Sequence, residues 1–436
     1  MSLSVLSGLI ILVLLVIMLV AGVPIAVALG ISSVCAILPV MDLNVAVVTG
    51  AQRIFSGISV FSLLAIPFFI LAGNIMNKGG IAIRLINLAK IVTGRTPGGL
   101  AQTNILANAL FGAISGSGTA AASAMGSIIG PIEKDEGYDP NFSAAANIAT
   151  APTGLLIPPS NVMITFSLVS GGTSVAALFM AGYIPGALWA LACMLVVYIY
   201  AKKAGYRSQT KLTGKEKFTA FIQALPCLLL IVIVIGGIIA GVFTATEGSV
   251  VAVVYSLLLS IYGYKSMKWK DLPEIFRSSA EMTGIIIFLI GVSSIMSWVM
   301  AFTNIPTMVS NGLLSISSNK YVILLMINII LLVVGTFMDM TPATLIFTPI
   351  FLPVCTALGM NTIHFGIMLI FNLCIGTITP PVGTTLFVGV KVGGVKIETV
   401  FKHLLPYFFA IIVVLMLVTY IPQLSLWLPG LMGYVS

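Results

Sequence analysis

Two stretches of the sequence decide the fold: residues 150–161 read TAPTGLLIPPSN, and residues 372–384 read NLCIGTITPPVGT. Each places a Pro-Pro pair inside an apolar run, where proline removes a backbone donor and clashes with the preceding helical turn. A shift of 222 positions brings the first stretch onto the second, so that Gly154 falls on Gly376. The same shift superimposes Thr119, Ala121, Pro131, Pro158, Pro159, Gly171 and Gly172 on Thr341, Ala343, Pro353, Pro380, Pro381, Gly393 and Gly394. The sequence therefore predicts two copies of one unit, each with a discontinuous helix.

The composition indicates a protein that is embedded in a membrane. Of the 436 residues, 59% are hydrophobic and only 7% are charged, whereas soluble domains carry about 25% charged residues. The uncharged runs 4–20 and 228–240 approach the length that crosses about 30 Å of hydrocarbon. The first run has no basic residue before it and no clear cleavage site, so we interpret it as a helix and not as a signal peptide.

The apolar segments predict ten membrane crossings and two re-entrant hairpins. The predicted crossings are residues 3–20, 21–40, 58–77, 142–171, 173–201, 219–241, 246–264, 281–302, 362–390 and 404–428. The predicted hairpins are residues 98–133 and 320–358. The predicted fold is thus an all-α polytopic membrane protein, with a first repeat at 1–201, a basic linker at 202–218 and a second repeat at 219–436. Because each repeat has about five crossings, an odd number, the two repeats must be inverted.

The distribution of basic residues predicts the orientation. With the amino terminus outside, 18 of the 20 Lys and Arg residues fall on cytoplasmic segments, and only Arg53 and Lys320 fall outside. Cytoplasmic loops of membrane proteins carry such an excess of Lys and Arg. We therefore expect both termini on the side of the membrane away from the cytoplasm, which for a bacterial inner membrane is the periplasm. The segments 80–93 and 266–280 fit interfacial amphipathic helices and solvated loops equally well.

The broken helices predict where ions and a solute bind. Unwound carbonyls at such a break can ligate a hard cation, and the amino end of the next half-helix favours an anion. Asp339 lies in a stretch free of other acidic and basic side chains except His364, and an acid there is costly unless a cation or hydrogen bond compensates it. It fits a sodium or proton site, and it also fits the N-cap of a helix that starts near Thr341. Glu247 is interpreted as a first-turn helix residue.

The cysteines and histidines argue against metal and disulfide chemistry. The five cysteines are scattered through apolar segments without CxxC spacing, which is typical of packed thiols. Two histidines, His364 and His403, are too few for a His-based metal site. We therefore predict no cofactor beyond a coupling ion, and a transporter rather than an enzyme. A distant alternative is an intramembrane serine protease, with Ser117 as nucleophile and one of the histidines as base.

Several short motifs together point to one family. They are the segments 22–26 (GVPIA), 66–69 (IPFF), 115–117 (SGS) and 339–341 (DMT), with Gly335 and both Pro-Pro pairs. In these motifs, and over nearly its whole length, the chain resembles the large membrane subunit (M subunit) of the TRAP transporters, the tripartite ATP-independent periplasmic family. The sequence as a whole most resembles the sialic-acid branch of this family.

The resemblance implies a mechanism and partners. It implies sodium-coupled symport of an organic acid anion, such as sialic acid (N-acetylneuraminate), by an elevator mechanism in which the hairpins and broken helices slide against a scaffold. It also implies a small four-helix membrane subunit (Q type) and a soluble periplasmic solute-binding protein (P type). Import of a C4-dicarboxylate by the same system is the first alternative. A stand-alone sodium/carboxylate symporter without a binding protein is the second.

The motif match also implies candidate site residues. The first sodium site would use Ser115, Gly116, Thr150, Thr153 and Gly154. The second would use Gly335, Asp339, Thr341, Gly376 and Thr379. The solute would contact Ser115, Ser117, Ser160, Asn161 and Thr384. The family often carries an acid shortly after its Ser-Gly-Ser, whereas this chain has alanines at 120–122, so the first sodium site would depend on carbonyls and hydroxyls.

Overall fold

In the computed structural model, which describes residues 3–206 and 213–434, every regular element is helical. The α-helices are α1 (Leu3–Val20), α2 (Ile25–Ile37), α3 (Leu43–Ile58), α4 (Ala65–Lys78), α5 (Ile81–Thr93), α6 (Gly99–Ser115), α7 (Gly118–Asp135), α8 (Pro140–Thr150), α9 (Thr153–Leu156), α10 (Asn161–Val169), α11 (Val175–Ala204), α12 (Gly214–Ile239), α13 (Ala245–Leu258), α14 (Leu272–Phe302), α15 (Ile305–Ile316), α16 (Lys320–Gly335), α17 (Met340–Ala357), α18 (Thr362–Thr377), α19 (Thr384–Gly393), α20 (Ile397–Tyr420) and α21 (Gln423–Leu431). Arg207 and Lys211 of the predicted linker lie outside the described residues.

Eight helices in the described part of the chain are long and apolar enough to cross a membrane. A ninth crossing results if the bent pair Pro140–Leu156 and Asn161–Val169, which meet at 47°, counts as one span. The predicted crossing 142–171 is therefore a broken helix, made of α8, α9 and α10. The predicted crossing 362–390 is likewise split into α18 and α19, with residues 378–383 between them.

Some predicted boundaries differ from the observed ones. The predicted crossing 21–40 contains only α2, whose 13 residues span about 20 Å. Helix α14 has 31 residues and takes up most of the segment 266–280, and the segment 80–93 is helix α5, with Leu85 and Ile86 fully buried. Apolar contacts made elsewhere in the fold, which local periodicity does not reveal, extend or shorten these helices.

The two hairpins, α6–α7 and α16–α17, begin at opposite ends of the molecule. At the start of the first, Gly98 N donates to Tyr206 O at 3.1 Å, and the Tyr206 hydroxyl accepts from Asp139 N at 3.0 Å. Asp139 lies 3.6 Å from His403, near the start of α20. At the start of the second hairpin, Tyr321 O accepts from the hydroxyl of Tyr420, the last residue of α20. His403 and Tyr420 are 17 residues apart on α20, which is about 26 Å. The two hairpins therefore start from opposite ends, and the copies are inverted.

The end of the molecule at which the first hairpin begins carries several of the basic connections and is here named the basic end. The helix ends and connecting segments that lie around it are residues 94–98, 136–139, 202–206 and 394–403. These connections contain Arg95, Lys202, Lys203, Lys396 and Lys402.

In both copies the hairpin touches the broken helix through a pair of glycines. A Cβ placed on Gly154 would overlap Gly112 of α6, and a Cβ placed on Gly376 would overlap Gly335 of α16. Only glycine permits this backbone approach in helices, since small residues let helix axes come close. The hairpin and the break are therefore held together by main-chain contact.

We expect Gly154→Ala to destabilise the protein strongly, because the added methyl meets backbone atoms that cannot turn away. Overpacking of this kind costs about 1–3 kcal/mol. Gly284→Ala is the matched control: it lies in α14 with open space around its Cβ position, and alanine there favours the helix by about 0.5–1 kcal/mol. Thermal unfolding in detergent measures both, and equal stability of the two variants would contradict the close contact.

Candidate functional site

The turn of each hairpin meets the break in its own copy. Gly116, at the tip of the first hairpin, has φ +61°, and a Cβ there would lie 2.8 Å from the carbonyl oxygen of Pro159. At the tip of the second, Thr336 O accepts a hydrogen bond of 3.0 Å from Val382 N. Both Pro-Pro peptide bonds at these breaks are cis. The predicted hairpins and breaks thus form two matching assemblies of irregular backbone.

The two assemblies face each other across the interior. Cys374 Sγ lies 3.9 Å from Pro152 O, and these two positions are one repeat of 222 residues apart. At the amino end of α7, a Cβ on Gly118 would lie 3.3 Å from Thr385 Oγ1 of α19. The tip of the first hairpin therefore reaches the break of the second copy, which places both breaks around a common region.

The structure brings together the residues predicted for the first sodium site. Gly116 N donates to Gly112 O at 2.8 Å, and Gly112 contacts Gly154. Thr153 Oγ1 donates to Thr150 O at 2.7 Å. Thr150 Oγ1 donates to Ala146 O of α8 and accepts from the side-chain amide of Asn108 on α6. These bonds fix the directions of the threonine hydroxyls, whose oxygens keep lone pairs, and the Ser115 hydroxyl and the carbonyls of the break add further oxygens for an ion.

The residues predicted for the second sodium site are also assembled. Gly335 contacts Gly376, and Thr379 Oγ1 donates to Ile375 O at 2.6 Å. Asp339 is exposed at the N-cap position of α17, beside Thr341 in the first turn, but its side chain makes no capping hydrogen bond. Instead, Thr384 Oγ1 donates to Asp339 Oδ1 at 3.3 Å. Asp339 therefore joins the second hairpin to the amino end of α19.

Several buried oxygens around the breaks have no hydrogen-bond partner in the described part of the chain. They include Ser115 Oγ, Ser160 Oγ, Asn161 Oδ1 and Thr385 Oγ1. Buried polar atoms are nearly always bonded to protein or to water, so a cluster of unpartnered ones is typical of a ligand site. Among the other predicted solute residues, Ser117 caps α7 through a 3.3 Å bond from Ala120 N, and Thr384 is bonded to Asp339.

The sequence reasoning missed Gly112, Thr385 and a set of asparagines. Asn108 Nδ2 donates to Asn147 Oδ1 at 3.1 Å and so ties α6 to α8, while Asn372 Nδ2 donates to Asn328 Oδ1 at 2.9 Å and ties α18 to α16. The available signal was the presence of amides inside apolar helices, which are costly unless bonded. Thr385 could have been found from its neighbour Thr384.

The geometry does not support the alternative hypothesis of an intramembrane serine protease. Ser117 Oγ is bonded to Thr119 Oγ1 and to a helix amide. His364 Nε2 lies 2.8 Å from Val418 O, and His403 lies beside Asp139. No histidine is therefore seen within hydrogen-bond reach of Ser117 among residues 3–206 and 213–434, as a base would have to be.

Glu247 has the structural role that the sequence indicates. Its carboxylate accepts from Thr244 N at 2.8 Å, and Thr244 Oγ1 accepts from Glu247 N at 3.2 Å. This reciprocal arrangement is a capping box at the start of α13.

A large cavity lies to one side of the breaks, between α3, α14 and the end of α10. Its volume is about 850 Å³. Hydroxyl groups line it, and Arg53, whose guanidinium lies 5.2 Å from the ring centre of Trp298, is the basic side chain in its wall. The cavity is large enough for a small organic anion.

Two inverted hairpins that cover two broken helices define a membrane transporter of the secondary active class. The family model described as "Tripartite ATP-independent periplasmic transporter, DctM component" matches residues 12–424. The chain belongs to this family, the large permease subunits of TRAP transporters, and is a multi-pass membrane transporter rather than an enzyme.

Similar proteins extend over almost the whole chain. It is 53% identical over 415 residues to the Uncharacterized protein YgiK of Salmonella typhimurium, which covers 95% of each chain. It is 36% identical to the C4-dicarboxylate TRAP transporter large permease protein DctM of Rhodobacter capsulatus, over 98% of this chain and 100% of that one. It is 38% identical to the Sialic acid TRAP transporter large permease protein SiaM of Vibrio cholerae, over 88% and 90%. The YdaH transporter of Alcanivorax borkumensis shares the fold, with a TM-score of 0.65 at 13% identity over 100% of both chains.

We expect Thr385→Val to leave the free energy of unfolding nearly unchanged, because the buried hydroxyl has no partner to lose. Thr419→Val is the matched control: its hydroxyl donates to Leu415 O and accepts from Asn328 Nδ2, and its loss should cost about 1 kcal/mol. Thermal unfolding in detergent compares the two. A destabilisation of Thr385→Val as large as that of the control would show that the hydroxyl is bonded within the fold.

Proposed function

We propose that the chain imports an organic acid anion together with sodium ions, with sialic acid as the substrate and a periplasmic binding protein as its source. The observation that carries this proposal is the pair of broken helices, each covered by a hairpin, with unpartnered oxygens of Ser115, Ser160 and Thr385 around them. In this proposal the chain works with a small four-helix membrane subunit.

Sodium coupling is supported by the chemistry of the two assemblies. Carbonyl and hydroxyl oxygens are the ligands that hard cations take. In the second assembly Asp339 adds a negative charge, and its carboxylate accepts a hydrogen bond from Thr384. A sodium ion at this place would compensate the carboxylate, which is otherwise costly within a membrane.

An anionic solute is supported by the helix ends at the breaks. Helix α10 starts directly after Ser160, and α19 starts directly after Gly383. The amino ends of these helices carry partial positive charge and free amide groups, which favour a carboxylate. Bound sodium ions would strengthen the hold on the anion, and the anion would strengthen the hold on sodium.

The identity of the acid is the finer part of the proposal. The chain is similar both to a relative named for sialic acid, at 38% identity, and to one named for C4-dicarboxylates, at 36%. The cavity of about 850 Å³ beside Arg53 has room for a bulky acid, which favours sialic acid. Import of a C4-dicarboxylate remains the second candidate, because the same hydroxyl and amide groups would hold either carboxylate.

An elevator motion is supported by an apolar seam. Ile114 and Pro159, from the first hairpin and its break, face Phe69 of α4, Leu230 of α12 and Ala252 of α13. Side chains of this kind form no directional bonds that would resist sliding. In this proposal the hairpins and broken helices move as one body along that seam, past a scaffold that includes α4, α12 and α13.

The orientation is a further part of the proposal: the basic end faces the cytoplasm, and both termini face the periplasm. A cysteine at Lys203, exposed near the end of α11, should react with a membrane-impermeant maleimide only in inside-out vesicles. A cysteine at Ser318, exposed before α16, should react only from the opposite side. Labelling of both positions from one side would contradict the orientation.

Uptake by proteoliposomes tests the function directly. The chain, with its small subunit and binding protein, should accumulate labelled N-acetylneuraminate only with an inward sodium gradient. Loss of a hydrogen-bonded charge is worth about 1.5–3 kcal/mol, so Asp339→Ala should raise the sodium concentration for half-maximal uptake about tenfold or more. Glu281→Gln is the control, because that exposed side chain pairs with Arg277 one helical turn away.

Three outcomes would contradict parts of the proposal. Uptake by this chain without a binding protein would favour a stand-alone symporter. Uptake of a C4-dicarboxylate but not of N-acetylneuraminate would replace the substrate. An unchanged sodium dependence in Asp339→Ala would remove this carboxylate from the ion site.

A further inference from the structure

A second polar cavity lies away from the breaks, close to the basic end. Its volume is about 250 Å³, and it lies between α7, α8 and α19. Small side chains leave this space: a Cβ on Gly393 would lie 2.9 Å from Ala144 Cβ, and one on Gly126 would lie 3.0 Å from a methyl group of Val392. The cavity is therefore enclosed by the second limb of the first hairpin and by both broken helices.

Glu133 is the acid in the wall of this cavity. Its side chain is fully buried, and neither of its carboxyl oxygens has a hydrogen-bond partner among the described residues. Ser143 Oγ and Asn104 Nδ2, from two residues that line the same cavity, are also buried and unpartnered. Three polar groups on α6, α7 and α8 thus converge on this cavity, and the Ser143 hydroxyl lies near enough to interact with the Glu133 carboxyl group.

A charged carboxylate is unfavourable in this place. A buried charge without a partner costs several kcal/mol, and proteins avoid this by pairing it or by neutralising it. Lys134 lies at the edge of the cavity, yet no ion pair joins it to Glu133 in the described part of the chain. Among the described residues, no basic side chain therefore neutralises a charge on this carboxyl group.

The available donors fit a proton better than a metal ion. A hard cation takes several oxygen ligands, whereas the unpartnered side-chain oxygens described in this wall are those of Glu133 and Ser143. The third group, Asn104 Nδ2, is a hydrogen-bond donor and would face a cation unfavourably. Asn147 cannot replace it, because its amide is bonded to Asn108 and to Ala122 O.

We propose that Glu133 is a proton-binding site, filled through this cavity from the basic end of the molecule. The neutral acid donates to a water or to Ser143 in the cavity, and its carbonyl oxygen accepts from Asn104 Nδ2. The proton comes from bulk water and returns to it when the carboxyl ionises, so no other reactant takes part.

Other titratable and charged groups surround the site on the neighbouring elements. They are Lys134 on α7, Glu136, Tyr138 and Asp139 between α7 and α8, Tyr200 and Tyr206 at the end of α11, Lys391 on α19, and His403 and Tyr407 on α20. Asp139 lies 3.6 Å from His403. Among these groups, the charge of Glu136 opposes ionisation of Glu133.

Ionisation of Glu133 would act on the contact between the two copies. Helix α7 belongs to the first copy and α19 to the second, and Glu133 lies where both meet α8. A negative charge there requires water between these helices. The proton-bound state should therefore keep the body formed by hairpins and broken helices closed, and the proton-free state should loosen it at the basic end.

Infrared difference spectroscopy of the purified chain tests the site without any transport measurement. At neutral pH the wild type should show a protonated carboxyl band that is absent in Glu133→Gln. The control Glu136→Gln, which changes an exposed acid three residues away, should keep the band. No band difference between wild type and Glu133→Gln at neutral pH would overturn the proposal. So would a carboxylate band of Glu133 that shifts when sodium replaces choline, since that identifies a metal ion.

Thermal stability gives a second readout with a definite sign. In the unfolded chain a glutamate has a pKa of about 4.3 and is ionised at neutral pH. In this proposal, Glu133 of the folded chain is protonated at the same pH. The folded state then binds more protons than the unfolded state, so its stability falls as the pH rises. The wild type should lose thermal stability relative to Glu133→Gln as the pH rises from about 4.3 to about 8, the value to which burial raises the pKa of Glu133. Parallel curves over this range would overturn the proposal. Neither result depends on which solute is transported.

Discussion

The constraint on which the structure depends is that backbone polar groups inside a membrane must be satisfied by the protein itself. A helix interrupted by Pro-Pro leaves carbonyls and amides that lipid cannot satisfy. In each copy the turn of a hairpin lies against the break. In the first copy Gly116 contacts Pro159, and in the second Val382 N donates to Thr336 O. The glycine contacts hold these parts together, since any side chain at Gly154 would separate them.

The breaks of the two copies differ in how deeply they are buried. In the first, the break at Pro158–Ser160 is buried, and the neighbouring seam against α4, α12 and α13 is apolar. In the second, Asp339 and Pro381 are exposed. The inequality matters because a site that opens on one side only needs one copy packed and the other accessible. The same unequal packing leaves the cavity of Glu133 enclosed while Asp339 lies at an open surface.

Amides inside apolar helices connect the two kinds of site. Asn108 is fully buried. Its Nδ2 group donates to side-chain oxygens of Asn104, Asn147 and Thr150. This network runs from the wall of the cavity, where Asn104 and Asn147 lie, to Thr150 of the first break. The amide network thus links the wall of the cavity and the first break by direct hydrogen bonds.

The sequence by itself determined the class of fold, the two copies and the positions of their breaks, because paired prolines and charge placement act locally, whatever surrounds them. It also indicated the role of Glu247, since a capping box needs only neighbouring residues. It could not distinguish Asp339 as an N-cap from Asp339 as a partner of Thr384, which lies 45 residues away. Nor could it show that Gly112, Thr385 or Glu133 matter, because their significance comes from helices far apart in the chain. Only the tertiary structure decided those contacts, since close approach, burial and the absence of a hydrogen-bond partner are properties of packed helices and not of a sequence pattern.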